Sequence, residues 1–363
     1  MKSRVWVAVL ASSLAACGGG GGGGDGGGTT ATAVGSNGGA SSAPVVANPP
    51  VDVVSSTGTL QTSVIAPTYA ASGAELSAYT ALVAARQAAG AGFVAQSAEL
   101  DVAAAAHAKY LTTNISTTTD FHTEDSTKRD FYAVSPSARV AKAAYAGTSS
   151  TEVIGGTGVS LQGSDCALGL LNTVYHAAAL LSQSTHVGVG FGADSAGFPL
   201  CVMDLGVAPG TTYAQVAATG AMTAYPYNGQ TNVFETFYVA YESPRPSAAL
   251  FPNTTVGTPI VVNVRNADYV NFQAAGTLAP TVTTFTLKDA GGNLVPAAIL
   301  SNSALIAGTG LTLNADANLA AGFAVLVPLS PLSKGATYTV TFTATLKAGS
   351  TPVTKTWSFA TNP

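Results

Sequence analysis

The sequence predicts an α+β unit followed by an all-β sandwich, and three observations carry that prediction. Apolar residues recur at helical spacing in three segments between residues 75 and 182. Short strand-like runs lie between and after them, which points to helices flanking a small antiparallel sheet. From about residue 248 the period of the pattern becomes two. At 363 residues the chain also exceeds one ordinary domain, so two folded units plus linker are expected.

Taken in chain order, residues 75–88 carry Leu76, Tyr79, Leu82 and Val83 on one helical stripe, and residues 97–111 carry Leu100, Ala103, Ala104, His107 and Leu111. A third helix is predicted over 166–182, with Leu168, Leu171, Tyr175 and Ala178 on one face. Residues 152–154 read as a short strand. Residues 185–191 alternate, and after a turn at 194–197 residues 198–205 complete a hairpin. In the second unit, strands are predicted at 260–264, 283–287, 324–327, 338–345 and 355–359. Tyr338 to Ala344 alternates cleanly between an apolar face and a threonine face, and residues 289–293 are a strong turn signal. Strands at this spacing suggest a β-sandwich.

Charged residues make up only 9% of the chain, against roughly 25% in an average soluble protein. Thr, Ser, Gly, Asn and Gln must therefore build most of the surface. The net charge of −4 is small and no basic stripe is present, so no nucleic-acid partner is expected. Lys2 and Arg4 precede an apolar run over 5–14 that is too short to span a bilayer. Leu14-Ala15-Ala16-Cys17 then resembles the lipobox of bacterial lipoproteins. That resemblance implies a signal peptide at 1–16, lipid on Cys17, and a cell-envelope protein outside the cytoplasm, at the outer membrane or cell surface. Residues 17–72 are too low in complexity to bury a core and read as a Gly/Ser/Thr/Pro-rich tether. With Cys17 lipidated, Cys166 and Cys201 remain, an even pair in an oxidising compartment, and a disulfide is expected between them. Two separate buried thiols are the alternative.

Several short runs carry a family resemblance. They are His107-Ala108-Lys109-Tyr110-Leu111, His122-Thr123-Glu124, Thr151-Glu152-Val153-Ile154, Asn172-Thr173-Val174-Tyr175-His176 and Thr185-His186-Val187-Gly188-Val189-Gly190. In this order they resemble a bacterial CAP domain, the superfamily of cysteine-rich secretory proteins, antigen 5 and pathogenesis-related 1. The likeness covers residues 73–208 and implies a CAP-type α-β-α sandwich. Residues 209–247, with Tyr225-Pro226-Tyr227-Asn228-Gly229-Gln230 and Glu242-Ser243-Pro244-Arg245-Pro246, resemble the extension that succeeds this domain in bacterial members. Residues 248–363, with the run 331–338 before a strand and Thr356-Trp357-Ser358-Phe359 at the end, resemble bacterial Ig-like domains. Tyr338 would be a corner tyrosine there and Trp357 a core residue.

In the CAP family two histidines and two acids meet in a surface cleft, and the histidines can bind a divalent metal. The resemblance assigns His122, Glu152 and His176 to that cleft, with His122 and His176 as ligands of a divalent metal such as Zn²⁺. The second acid has no clear match; Asn172 stands in its place, with Glu124 and Asp165 as weaker candidates. His107 reads as a core or boundary histidine and His186 as a structural strand position. No G-x-S-x-G elbow, H-E-x-x-H motif or P-loop is present, so no catalytic residue is assigned. The expected function is a membrane-tethered binding protein for a lipid, cell-wall or peptide group. A His/Glu-dependent hydrolase and a purely structural or adhesive surface protein are the alternatives.

Overall fold

The structure is a computed structural model of the chain. It describes residues 60–363 apart from 119, 157–162, 194–196, 198, 210–214, 219, 265–280, 303–306, 321 and 346–350, together with a short strand, β1 (Val7–Val9). Cys17 and the glycine-rich run after it lie outside the described residues, as does the centre of the turn expected at 194–197.

The first lobe opens with α1 (Ala74–Ala89), which buries Tyr79, Leu82 and Val83. Gly90, at φ 83°, ends it in the left-handed conformation that glycine adopts without steric cost. After β2 (Ala95–Gln96), Ser97 caps α2 (Ala98–Asn114) by accepting the Leu100 N–H. The short α3 (Pro136–Lys142) is an addition to the expected elements, although Ser135 caps it and Pro136 sits at its first turn, a usual start signal. Then come β3 (Thr148–Gly156), α4 (Gly163–Leu171), α5 (Tyr175–Leu180), β4 (His186–Ala193) and β5 (Pro199–Val207). The single helix expected over 166–182 is thus two helices with a break at 172–174. Asn172 and Thr173 are poor helix formers. A carboxylate from outside the lobe also supplies the new N-terminus: Glu242 accepts the N–H groups of Val174 and Tyr175 at 3.1 and 2.6 Å.

The sheet order is β1-β3-β5-β4-β2, with β3, β5 and β4 antiparallel. One face, through Val153, Val187, Val189, Met203 and Leu205, shares a core with α1, α4 and α5. The other face, through Ile154, Leu200 and Val202, packs on α2. Gly188 and Gly190 explain the Val-Gly alternation of β4. A Cβ at either position would run into the backbone of α2 at Leu100–Asp101 or Ala104–Ala105. The expected disulfide is present: Cys166 on α4 is bonded to Cys201 on β5, with Cα atoms 6.4 Å apart. Arg86, fully buried, donates to the carbonyls of Ala91, Gly92, Leu180, Ser182 and Ser184, fastening α1 to the loop before β4.

Ordered packing starts before residue 73. Gln61 Nε2 donates to the carbonyls of Phe93 and Thr185, and Tyr69 donates to Asp101 at 2.5 Å. Residues 60–72, expected in the tether, belong to the folded unit.

Downstream lie β6 (Thr223–Tyr225), β7 (Phe237–Tyr238), β8 (Thr255–Val256), β9 (Ile260–Asn263), β10 (Thr281–Lys288), β11 (Ala297–Ser301), β12 (Ala307–Gly308), β13 (Asn314–Ala315), β14 (Phe323–Pro328), β15 (Thr337–Thr345) and β16 (Val353–Ala360). All five predicted strands are there. They form two main sheets, β13-β11-β14-β9-β6 and β12-β10-β15-β16. Ile260, Val262, Ala324 and Leu326 face Val340, Phe342, Trp357 and Phe359 of the second sheet. The alternate residues Val261, Val325 and Val327 join the core of α1, α4 and α5. The middle sheet is therefore buried on both faces, which is why 323–328 is continuously apolar rather than alternating. No gap in packing falls near residue 247: β6, from the expected extension, is an edge of this sheet. Tyr338 accepts the Ser333 N–H at 2.8 Å, and Trp357 Nε1 donates to the Pro226 carbonyl at 2.8 Å. The chain is α+β as predicted. Among the described residues no helix is long and apolar enough to cross a membrane.

Candidate functional site

The site grows from the ladder between β3 and β5. Glu152 lies directly opposite Asp204, and Asp204 in turn lies opposite Gly188 of β4. Cross-strand neighbours share a face of the sheet, so the two acids sit side by side on the face that carries α2. His107 reaches them from α2, Arg139 from α3, and His122 and Glu124 from the loop between these helices. All six side chains are buried.

Glu152 is the hub. His122 Nδ1–H donates to its Oε1 at 2.7 Å, and Arg139 Nη2 donates to its two oxygens at 2.8 and 2.7 Å. Arg139 also donates to the His122 carbonyl at 3.0 Å, fixing the loop that presents the ring. Glu124 accepts from His107 Nδ1 at 2.8 Å and from the N–H groups of Tyr132 and Ala133 at 2.6 and 3.2 Å. His107 Nε2 faces the Phe121 carbonyl at 2.7 Å and Glu152 at 3.7 Å. Both ring nitrogens of His107 thus meet hydrogen-bonding oxygens.

The electrostatics split the two neighbouring acids. Burial pushes the Glu152 carboxyl up, but His107, the hydrogen bond from His122 and Arg139 outweigh it and hold it below the usual carboxylate range. Asp204 goes the other way. Burial and the adjacent Glu152 charge raise it well above that range, against a smaller lowering by Arg139.

Of the four expected cleft residues, His122 and Glu152 are brought into contact. His176 and Asn172 have other partners. His176 Nδ1 lies 2.9 Å from Thr173 Oγ1 and 3.5 Å from Glu242 Oε1. Asn172 donates to the Thr236 carbonyl at 2.7 Å and accepts from Thr258 at 2.9 Å, so it serves the junction with the second lobe. Asp165 is exposed on the first turn of α4. His186 bonds Tyr145 at 3.1 Å, and burial lowers its pKa against a pull from Glu99.

Arg139 and Asp204 belong to this buried cluster and Glu242 to the start of α5, positions the sequence reading does not single out, and His107 is bonded into the cluster as well. Signals exist for two of them. Ser135-Pro136 announces the helix that carries Arg139, and Asp204 is an acid inside the otherwise apolar run 200–205. Nothing local marks Glu242.

Among the described residues no group of three or more His, Cys, Asp or Glu side chains is placed to hold a metal ion. His122 Nδ1 is bonded to Glu152, and the Arg139 guanidinium lies 2.7 Å from that carboxylate. Compared with known proteins, the chain matches no family model and no curated protein.

Proposed function

We propose that this chain is a membrane-tethered, extracytoplasmic binding protein of CAP type. Lipid on Cys17 holds it in the cell envelope, a CAP-type α-β-α lobe carries the ligand group around His122 and Glu152, and an Ig-like β-sandwich completes the chain. Supporting the CAP-type reading are the helix–sheet–helix layering, the contact of His122 with Glu152, and the close seat of the Val-Gly strand under α2. The Tyr338–Ser333 bond and the buried Trp357 support the Ig-like one.

The observation that carries the binding function is the state of His122. Its Nδ1 is locked by Glu152, while Nε2 has no hydrogen-bond partner among the described residues. In the neutral ring that Nε2 is an acceptor, suited to a hydroxyl or amide N–H of a lipid headgroup, a cell-wall fragment or a peptide. The ring is only 2% exposed, so ligand binding at Nε2 requires its cover to open. Calorimetry with soluble cell-wall fragments, peptides and lipid vesicles tests this: binding to the native protein should be lost in His122→Ala. Unchanged binding by a folded His122→Ala protein overturns the assignment.

A second reading, a structural or adhesive surface protein with a vestigial cleft, is favoured by the burial of the whole cluster. It is supported if His122→Ala lowers stability while every measured interaction persists.

A further inference from the structure

The buried cluster has a charge balance that leaves one group over. Arg139 is its fixed cation and His107 meets an acceptor at each ring nitrogen, and Glu124 and Glu152 are the two carboxylates bonded to them. Those two carboxylates already take these partners. Asp204 is then a third acid, wholly buried, and among the described residues neither of its carboxyl oxygens has a group within hydrogen-bonding distance. An ionised carboxylate sealed away with no donor is among the costliest groups a protein interior can hold, and such a group neutralises instead. Its neighbours reinforce the point. Glu152 is opposite it on β3, Gly188 opposite it on β4 has no side chain to donate, and α2 contributes His107, already bonded to Glu124 and Phe121. His122 Nδ1 and Arg139 Nη2 are bonded to Glu152, and Arg139 Nε, itself without a hydrogen-bond partner among the described residues, is not bonded to Asp204.

We propose that Asp204 is a buried neutral acid, so that the cross-strand pair Glu152–Asp204 holds one proton through neutral pH and forms a pH-sensitive element at the centre of the β3–β5 ladder. Losing that proton sets two negative charges side by side with Arg139 already committed, and the ladder weakens there. The inference shares Glu152 with the proposed site at His122 but does not rest on ligand binding there, because it concerns the protonation of Asp204 and the stability of the sheet. It agrees with the direction in which burial and Glu152 move Asp204.

Linkage fixes the sign. The folded state holds the Asp204 proton more tightly than the unfolded chain does, whose aspartates titrate near pH 3.9. The stabilisation from this group is therefore fully present below about pH 3.9 and is lost as pH rises to its folded value. Glu152, held low, works in the opposite sense: its contribution is present above the unfolded glutamate pKa and is lost as pH falls.

The test uses the full chain. Infrared spectroscopy with ¹³C-aspartate should show a protonated-carboxyl band at neutral pH that Asp204→Asn removes. In parallel, denaturant unfolding from about pH 5 upward should show the native protein losing ground to Asp204→Asn by up to tenfold in the folding constant per pH unit, levelling off above the folded pKa. Absence of the band, or a difference between the two proteins that does not change with pH, overturns the proposal. Should Asp204→Asn fail to fold, Glu152→Gln gives the answer. Removing the neighbouring charge should move the disappearance of the band to lower pH, and an unmoved band overturns the dyad.

Discussion

The two histidines expected to share one cleft live in different electrostatic neighbourhoods. His122 belongs to a network whose members all come from the first lobe: Glu152, Arg139, His107 and Glu124. His176 is tied to Glu242, which lies 66 positions further along the chain and also caps the helix that His176 rides on. Each histidine has its own carboxylate. The first pair holds a loop and a short helix onto the sheet; the second holds the first lobe onto the downstream segment around Glu242. A like pair of residues in sequence thus serves local order in one place and long-range assembly in the other.

Separating the two halves should have the largest effect. A fragment comprising residues 60–247 loses β9, β11 and β14, whose Val261, Leu300, Val325 and Val327 complete the core of α1, α4 and α5. It should show no cooperative unfolding transition, a loss on the order of the whole stability of a domain, about 5–15 kcal/mol. A fragment with a sharp transition in circular dichroism would break the claim of a shared core.

Within the first network, Arg139→Met should come next. It leaves Glu152 buried without its cation, and breaking a buried pair in this way costs about 3–5 kcal/mol. Urea unfolding checks it; a change below about 1 kcal/mol would mean the arginine is not the group that holds Glu152 ionised.

Glu242→Gln tightens the contrast between the regions. It keeps the shape and weakens the bonds to the N–H groups of Val174 and Tyr175, so the loss should be about 1–3 kcal/mol. Hydrogen exchange should rise at 174–180 and leave 148–156 unaffected. Equal acceleration in both would make the two regions one unit.

The smallest effect is expected far from both histidines. Tyr338→Phe removes the acceptor of the Ser333 N–H and should cost about 1 kcal/mol with no change in exchange at α5.

Features that depend on near neighbours in the chain are legible from the residues alone. Helical spacing places α1 and α2, alternation places β15 and β16, and the turn at 289–293 comes from residues that bond within it, Asn293 N–H to Asp289 Oδ1. Two cysteines left over beside Cys17, in the oxidising compartment that the lipobox-like run implies, lead to the expectation of their bond. The assignment of His122 and Glu152 to one cleft comes through a likeness of short motifs rather than through physics; in the structure His122 Nδ1 is hydrogen-bonded to Glu152. Long-range packing settles everything else. The helical spacing of 166–182 runs on past Asn172 and Thr173, and Glu242, brought from beyond the lobe, adds the acceptors that begin the second helix. Asp204 reads as one polar residue in a strand until the ladder sets it against Glu152, with no donor in reach among the described residues. Charge balance in a buried cluster is a sum over side chains from five separate segments, and no window of sequence contains that sum.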